Sequence, residues 1–152
     1  MALVAASRSS TWSEHAFERL ADAGYLRGGA RRAIIDLLAQ QECALPATAI
    51  EERLRGSERA VARATIYRVL DQLEQLGLVA RIDVGDAMSR YEAVQPDGEH
   101  HHHVVCDVCG TLSPFTDAAL ERQIKRITSR VGVEVHEHIV TLRGTCERCR
   151  QA

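Results

Sequence analysis

Apolar residues recur at helical spacing throughout the first half of the chain. The apolar stripe is clearest over residues 60–76, where Ile66, Leu70 and Leu73 fall on one side of a helix. The same periodicity, together with capping and stop residues, predicts four helices: Ser13–Leu20, Arg31–Gln40, one from Pro46 to a stop at Gly56, and Ala60–Leu76, which ends at Gly77.

A predicted hairpin follows these helices. Leu78–Val84 and Ser89–Val94 have strand character, and Gly85-Asp86 between them is typical of a turn. Helices followed by a two-stranded hairpin predict a winged helix-turn-helix. The polar face of the fourth helix carries side chains that reach phosphates and base edges: Arg63, Thr65, Tyr67 and Arg68. An arginine-rich, solvated helix face is the alternative interpretation.

The second half alternates strands with one helix. Strand character at Val104-Val105 and at Leu112–Phe115 precedes a helix that Asp117 caps and that continues to Arg130. After Gly132, the β-branched stretch Val133–Leu142 predicts one long strand. The predicted fold class is α+β. A winged-helix DNA-binding domain over residues 1–94 precedes a small α/β metal-binding dimerisation domain over residues 95–152.

Two Cys-x-x-Cys pairs, Cys106/Cys109 and Cys146/Cys149, bracket this second half. Four thiolates complete the ligand set of a tetrahedral structural Zn²⁺. The segment between the pairs is longer than in a simple zinc ribbon, so a strand-helix-strand unit must fold between them. The alternative is that the two pairs are redox-active dithiols. Disulfides are disfavoured in a reducing compartment, so metal binding explains the pattern better.

Four consecutive histidines lead into the first cysteine pair. In an extended strand alternate side chains face opposite sides, so His101 and His103 share one face and His100 and His102 share the other. One run could therefore supply two different metal sites. A solvated polar loop is the competing interpretation.

Overall charge and hydropathy limit the classes of partner that the chain is expected to bind. The formal net charge of −2 argues against nonspecific binding of polyanions, although arginines cluster locally in the first half. No apolar run approaches the length of a membrane span, and residues 1–11 lack the apolar stretch of a signal peptide. We expect a cytoplasmic protein with no membrane partner.

The order and spacing of several motifs make the chain similar, over nearly its full length, to the ferric uptake regulator family of metal-dependent repressors. The motifs are Ala64-Thr-Ile-Tyr-Arg-Val-Leu70, Gly77-Leu-Val79, Tyr91-Glu92, the run from His100 to Gly110, and Gly144-Thr-Cys-Glu-Arg-Cys149. The resemblance implies a homodimer that binds palindromic operators in double-stranded DNA when a regulatory metal is bound.

The resemblance also implies roles for individual residues. The four cysteines match the structural zinc set, and Glu92, His101 and His103 match a regulatory site between the domains. Tyr67 and Arg68 match DNA contacts, and Arg31 is retained from a DNA-binding stretch. A second metal site inside the dimerisation domain is matched by His100, His102, Glu121 and His138.

Departures from the family pattern bear on which metal is sensed. Ala44 stands where a ligand histidine is usual, with Cys43 beside it, and Pro114 stands where a carboxylate is frequent. A set of Glu92, His101, His103 and Cys43 would suit Zn²⁺ better than Fe²⁺, although a buried apolar thiol is the alternative interpretation of Cys43. Zinc sensing is the favoured hypothesis, although the family's zinc-uptake branch places a cysteine where Gln95-Pro96 stands here.

Other functions remain open on the sequence alone. Fe²⁺ or Mn²⁺ sensing is possible, and peroxide sensing is disfavoured because that branch has an aspartate where Glu92 stands. A zinc hydrolase would use its His and Glu side chains to activate water, but the chain has no His-Glu-x-x-His motif. A metal-storage protein without DNA binding is the remaining alternative.

Overall fold

The chain forms two compact units. A computed structural model describes residues 2–26, 28–56, 60–85, 88–96 and 100–151, with side chains from residue 11 onward. The N-terminal unit is Met1–Glu99 and the C-terminal unit is His100–Ala152. The predicted domain division places the boundary a few residues earlier. None of the described helices is long and apolar enough to cross a membrane.

The N-terminal unit consists of helices followed by a small sheet. Its elements are α1 (Ala2–Asp22), α2 (Gly29–Ala39), β1 (Leu45–Pro46), α3 (Ala47–Arg55), α4 (Arg63–Gln75), β2 (Val79–Asp83) and β3 (Ser89–Ala93). The strands are ordered β1-β3-β2, and both pairings are antiparallel. This arrangement of helices and hairpin is the predicted winged helix-turn-helix.

Burial of large apolar side chains holds this unit together. The core contains one aromatic residue of α1 and aliphatic residues of all four helices and of the segment before β2: Trp12, Leu20, Ile34, Ile35, Leu38, Ile50, Ile66, Leu70, Leu73 and Leu78. Each such side chain contributes about 1.5–3 kcal/mol when it is removed from water. The apolar stripe of α4 therefore fixes which face of that helix remains outside.

Two features of this unit differ from the sequence prediction. Helix α1 begins at Ala2, well before the predicted Ser13, and the alanine-rich composition of the early residues favours helix. The two-residue strand β1 was not predicted. It forms because Leu45 pairs with Tyr91 and Pro46 with Arg90, a contact between distant segments that local periodicity does not reveal. Of the predicted turn, Gly85 is described with φ +78°, and Asp86 lies outside the described residues.

The C-terminal unit contains one small sheet and two helices. Its elements are β4 (His102–Cys106), β5 (Leu112–Phe115), α5 (Ala118–Val131), β6 (Thr141–Gly144) and α6 (Glu147–Arg150). The central strand β4 pairs antiparallel with β5 and parallel with β6. Strand β4 thus occupies the middle of the sheet and connects the last two histidines of the run to the first cysteine pair.

Local capping defines the ends of α5. Asp117 Oδ1 accepts a hydrogen bond from the Leu120 backbone N–H at 2.7 Å, which satisfies one of the N–H groups left open at the helix start. Gly132 ends the helix in the left-handed conformation, with φ +67°. Both residues act as the sequence predicted.

The predicted long strand Val133–Leu142 is wrong. Only Thr141–Gly144 forms a strand, and residues 133–140 are irregular. The reason is the length of the partner: β4 begins at His102, and its parallel pairing with β6 runs from His103↔Thr141 to Cys106↔Gly144. Residues before Thr141 have strand composition but no neighbouring strand within the described chain.

Candidate metal centres and DNA-binding face

The four paired cysteines lie together at one end of the C-terminal sheet. Cys106 ends β4, Cys109 lies in the following turn, and Cys146 and Cys149 come from the start and body of α6. Their sulfur atoms all lie within 4.8 Å of one another, and Cys109 Sγ is 3.9 Å from Cys146 Sγ. Tetrahedral Zn²⁺ with Zn–S bonds of about 2.3 Å requires sulfurs about 3.8 Å apart. The cluster therefore fits a structural zinc ion.

Two of the four thiols have pKa values that are shifted in opposite directions. Backbone hydrogen bonds, first from Cys146 and then from Cys109, lower the pKa of Cys106 to about 6. Hydrogen bonding with Cys146 and then Cys109 raises the pKa of Cys149 to about 12. Adjacent thiols cannot all ionise without a compensating cation, so this set requires a dication to become four thiolates.

Backbone contacts hold the two cysteine pairs in place. The Cys146 N–H donates to Cys106 Sγ at 3.3 Å, and the Asp107 N–H donates to the Gly144 carbonyl at 2.8 Å. The Arg143 guanidinium also forms an ion pair with the Asp107 carboxylate. These contacts join the segment that carries Cys106 to the segment that carries Cys146, independently of any metal.

A second cluster of donors lies within the same unit. His102 Nε2 is 2.7 Å from Glu121 Oε1, His138 Nε2 is 3.1 Å from Glu121 Oε2, and His100 Nε2 is 3.4 Å from Glu121 Oε1. One donor atom of each residue lies within 4.8 Å of all the others. Three imidazoles and one carboxylate form a donor set that suits Zn²⁺ and also Fe²⁺ or Mn²⁺.

Hydrogen bonds determine the protonation state of this cluster. His102 Nδ1 accepts from the Val140 N–H at 3.3 Å, so Nε2 of a neutral ring carries the proton and donates it to Glu121. Burial acts to raise the pKa of Glu121, but the hydrogen bonds from His102 and His138 outweigh it and hold the pKa below its usual range. Loading this site through Nε2 requires His102 to lose that proton.

The residues matched to the regulatory site occur as one pair in each unit. In the N-terminal unit, a donor atom of Cys43, just before β1, lies within 4.8 Å of one from Glu92 in β3. In the C-terminal unit, the rings of His101 and His103 are 5.0 Å apart between centroids. His101 thus lies beside His103, and His100 lies beside His102 with 5.4 Å between their ring centroids.

The residues matched to DNA binding lie mostly at the start of α4. Arg63 is its first residue, and Arg63, Tyr67 and Arg68 are exposed while Thr65 is partly buried. The opposite side of the helix packs into the core through Ile66, Val69, Leu70 and Leu73. The first two turns therefore present cationic and hydrogen-bonding groups on an open face.

Arg31 differs from the other members of that set. Its Nη2 donates to Gln72 Oε1 at 2.9 Å, its Nη1 donates to the Leu26 carbonyl, and its guanidinium lies 5.2 Å from the centre of the Tyr25 ring. These contacts tie the start of α2 to α4. The guanidinium of Arg31 is used within the N-terminal unit.

Sequence reasoning missed one residue beside the DNA-binding face. Glu51 in α3 accepts hydrogen bonds from both Arg55 and Arg63. The spacing of Glu51 and Arg55, four residues apart on a helix, is a signal that could have indicated the first contact. The second contact joins two helices and has no local signature.

Comparison with known proteins agrees with this architecture. The sequence profile of the Ferric uptake regulator family matches residues 23–143. A ferric uptake regulation protein of Legionella pneumophila is 35% identical over 134 residues, which is 88% of this chain and 97% of the relative. The crystal structure of the Vibrio cholerae ferric uptake regulator is 32% identical, with a TM-score of 0.76 over 85% of this chain and 98% of that one.

A more distant structure supports the fold alone. The Helicobacter pylori ferric uptake regulator is 19% identical and has a TM-score of 0.82 over 95% of each chain. The profile match and the Legionella relative both extend over most of the chain. This protein therefore belongs to the ferric uptake regulator family, whose members are metal-responsive transcriptional regulators and not enzymes.

Proposed function

We propose that this regulator is a repressor that binds palindromic operator DNA as a homodimer when its regulatory site holds a metal ion. The observation that carries the proposal is the division of donors between the two units. Cys43 and Glu92 belong to the unit that carries the DNA-binding face, whereas His101 and His103 belong to the other unit.

Exposed apolar side chains support the homodimer. Helix α5 contains no buried residue, although it has an apolar stripe. Large apolar residues remain exposed in α5, in the segment after it and in β6: Ile127, Val131, Val133, Val135, Ile139 and Leu142. A concentration of exposed apolar side chains in one unit is typical of a protein interface. We propose that a second copy of the chain covers it.

The dimer is tested by placing a charge on that surface. Ile127→Glu and Ile139→Glu should convert the dimer to a monomer in sedimentation velocity measurements, because each would bury an unpaired carboxylate. Leu26→Glu is the matched control, since Leu26 is an exposed apolar residue of the N-terminal unit. A dimer that persists in both C-terminal variants would contradict this part of the proposal.

The switch is a shift in population. A metal ion bound at the regulatory site would share ligands from both units, Cys43 and Glu92 on one side and His101 and His103 on the other. This cross-link would favour the arrangement in which two recognition helices lie about 34 Å apart, one turn of DNA. The ligand side chains would act by restricting the relative motion of the two units, whereas α4 would contact the DNA itself.

The decisive measurement is DNA affinity with and without metal. The double variant His101→Ala/His103→Ala should lose metal-dependent DNA binding in a mobility shift assay with the upstream promoter DNA of its own gene, while remaining a folded dimer. Arg68→Ala should weaken DNA binding and leave metal affinity intact. Unchanged DNA affinity in the histidine variant would refute the switch.

Zinc is the proposed regulatory metal. A set of one thiolate, one carboxylate and two imidazoles is a four-coordinate N/O/S site, and a thiolate ligand favours Zn²⁺ over Fe²⁺ or Mn²⁺. The second candidate is Fe²⁺, which the naming of the Legionella and Vibrio proteins as ferric uptake regulators favours.

Replacement of the thiol separates the two metals. Cys43→Ser should weaken Zn²⁺-dependent DNA binding by at least tenfold while changing the Fe²⁺ response much less, because only zinc gains substantially from the sulfur ligand. The control is the zinc content of the four-cysteine site, which should be unchanged. A Cys43→Ser variant that still responds to Zn²⁺ at the original concentration would show that the thiol is not a ligand and would remove the argument for zinc over iron.

A further inference from the structure

The carboxylate of Glu51 joins the two helices of the helix-turn-helix. Glu51 Oε1 lies 2.8 Å from Arg55 Nη2 in the same helix, and Glu51 Oε2 lies 2.7 Å from Arg63 Nε at the start of α4. Both oxygens are therefore engaged by guanidinium groups. The Glu51 side chain is 15% exposed, whereas the side chains of Arg55 and Arg63 are 67% and 65% exposed.

Arg63 occupies an unfavourable position for a cation. It is the first residue of α4, where the helix dipole places partial positive charge, and the first turn of α4 contains no acidic residue. Glu51 supplies from α3 the negative charge that this helix start lacks. Hydrogen bonds from Arg63 and then Arg55 hold the pKa of Glu51 below its usual range, so the group is ionised at neutral pH.

The geometry of the contact determines which nitrogens of Arg63 can bind DNA. The bond to Glu51 uses Nε of Arg63, and Nη1 and Nη2 make no hydrogen bond with any described residue, so these terminal nitrogens can contact a phosphate or a base edge. An arginine anchored on one side loses less conformational freedom when the other side binds DNA. A carboxylate that only repelled DNA would have the opposite effect on affinity.

We infer that Glu51 is a positioning residue for DNA recognition, which anchors Arg63 so that its terminal nitrogens contact the operator. This inference rests on the proposed function, since it requires α4 to bind DNA. It adds an acidic residue of the preceding helix to the recognition surface. The inference predicts that removing a negative charge beside the DNA weakens specific binding.

The test compares two glutamates that are adjacent in the chain. Glu51→Gln and Glu52→Gln remove the same charge from the same helix, and Glu52 is exposed. The DNA probes are a duplex selected from a random library by the metal-loaded wild-type protein and a scrambled duplex of equal length. Affinities are measured by fluorescence anisotropy, after zinc content and thermal midpoint show that each variant is folded.

The two variants should change affinity for the selected duplex in opposite directions. Glu52→Gln should bind both duplexes about twofold more tightly, because loss of a negative charge favours contact with phosphates. Glu51→Gln should also bind the scrambled duplex more tightly, but should bind the selected duplex roughly fivefold more weakly, because Arg63 is no longer held. In an Arg63→Gln background, Glu51→Gln should no longer weaken binding to the selected duplex.

The outcomes distinguish this inference from the proposed function. If Glu51→Gln strengthens binding to the selected duplex as Glu52→Gln does, Glu51 only repels DNA, and the inference is refuted while the regulator proposal stands. The inference is equally refuted if the weakening persists in the Arg63→Gln background. If the metal-loaded wild-type protein selects no duplex, the proposed function fails, and the positioning role fails with it.

Discussion

The two units bury opposite kinds of side chain. In the N-terminal unit the buried residues are mostly Leu, Ile and Val around Trp12. Among residues 100–151 the buried side chains are His102, His103, Val105 and Cys106. A chain segment of this length with so little apolar burial requires another source of stability. Metal ligation and the proposed second copy of the chain are the available sources, so we expect loss of metal to unfold the C-terminal unit and leave the N-terminal unit folded.

Loss of the structural zinc should produce the largest difference between the units. Cys146→Ser removes one ligand of a site that can contribute on the order of 10 kcal/mol to folding. Hydrogen exchange of the full chain should lose protection in β4 to β6 and retain it in α2 and α4. Cys43→Ser is the matched control, because that thiol lies outside the four-cysteine cluster. Loss of protection in both units would show that they do not fold separately.

A cavity in the apolar core should destabilise the N-terminal unit and leave zinc binding in the C-terminal unit unchanged. Leu70 is fully buried, and Leu70→Ala should lower the free energy of unfolding of the N-terminal unit by about 2–5 kcal/mol. Urea titration measures the loss, and the zinc content should remain that of the wild type. Leu26→Ala, at a site 86% exposed, should change stability by no more than about 0.5 kcal/mol. Zinc loss in Leu70→Ala would contradict the independence of the units.

The sequence predicted features that depend on local chemistry. Cysteine spacing indicated the zinc cluster, Asp117 and Gly132 marked the ends of α5, and alternation paired the histidines. It did not predict features that depend on distant partners. Residues 133–140 have strand composition without a neighbouring strand, and β1 forms only because Leu45 meets Tyr91. The contact of Glu51 with Arg63 likewise requires two helices to be placed first.

Zinc binding in the C-terminal unit should depend on pH in a way that an apolar core does not. The Cys106 thiol, with a pKa of about 6, is already ionised near neutral pH, whereas Cys149, with a pKa of about 12, retains its proton. Zinc ligation deprotonates Cys149, so affinity should rise with pH by about tenfold per unit for each proton released.

Competition with a chelator at several pH values measures this slope. A His100→Ala/His138→Ala background removes the contribution of the histidine cluster to the measurement. An affinity that is independent of pH over roughly pH 7–9, where Cys106 is ionised and Cys149 keeps its proton, would contradict the proton release.

The smallest effect should come from replacing the glycine that ends a helix, and it should be similar in both units. Gly77 after α4 has φ +69° and Gly132 after α5 has φ +67°, a conformation that disfavours a side chain. Gly77→Ala and Gly132→Ala should each lower stability by about 1 kcal/mol. Gly56→Ala is the control, because Gly56 has φ −81° and an added Cβ would meet no atom closer than 4.0 Å. Thermal unfolding of the three variants measures the contrast.

The uniform composition of the histidine run limits what the deletion of one residue would change. Counted back from Cys106, His101 lies with His103 and His100 lies with His102. Since residues 100–103 are all histidine, deletion of any one of them leaves histidine at the positions of His101, His102 and His103. Only the outermost position, now His100, would receive a different residue. Such a deletion would keep the pair at positions 101 and 103 and would place a glutamate beside His102 in the position of His100.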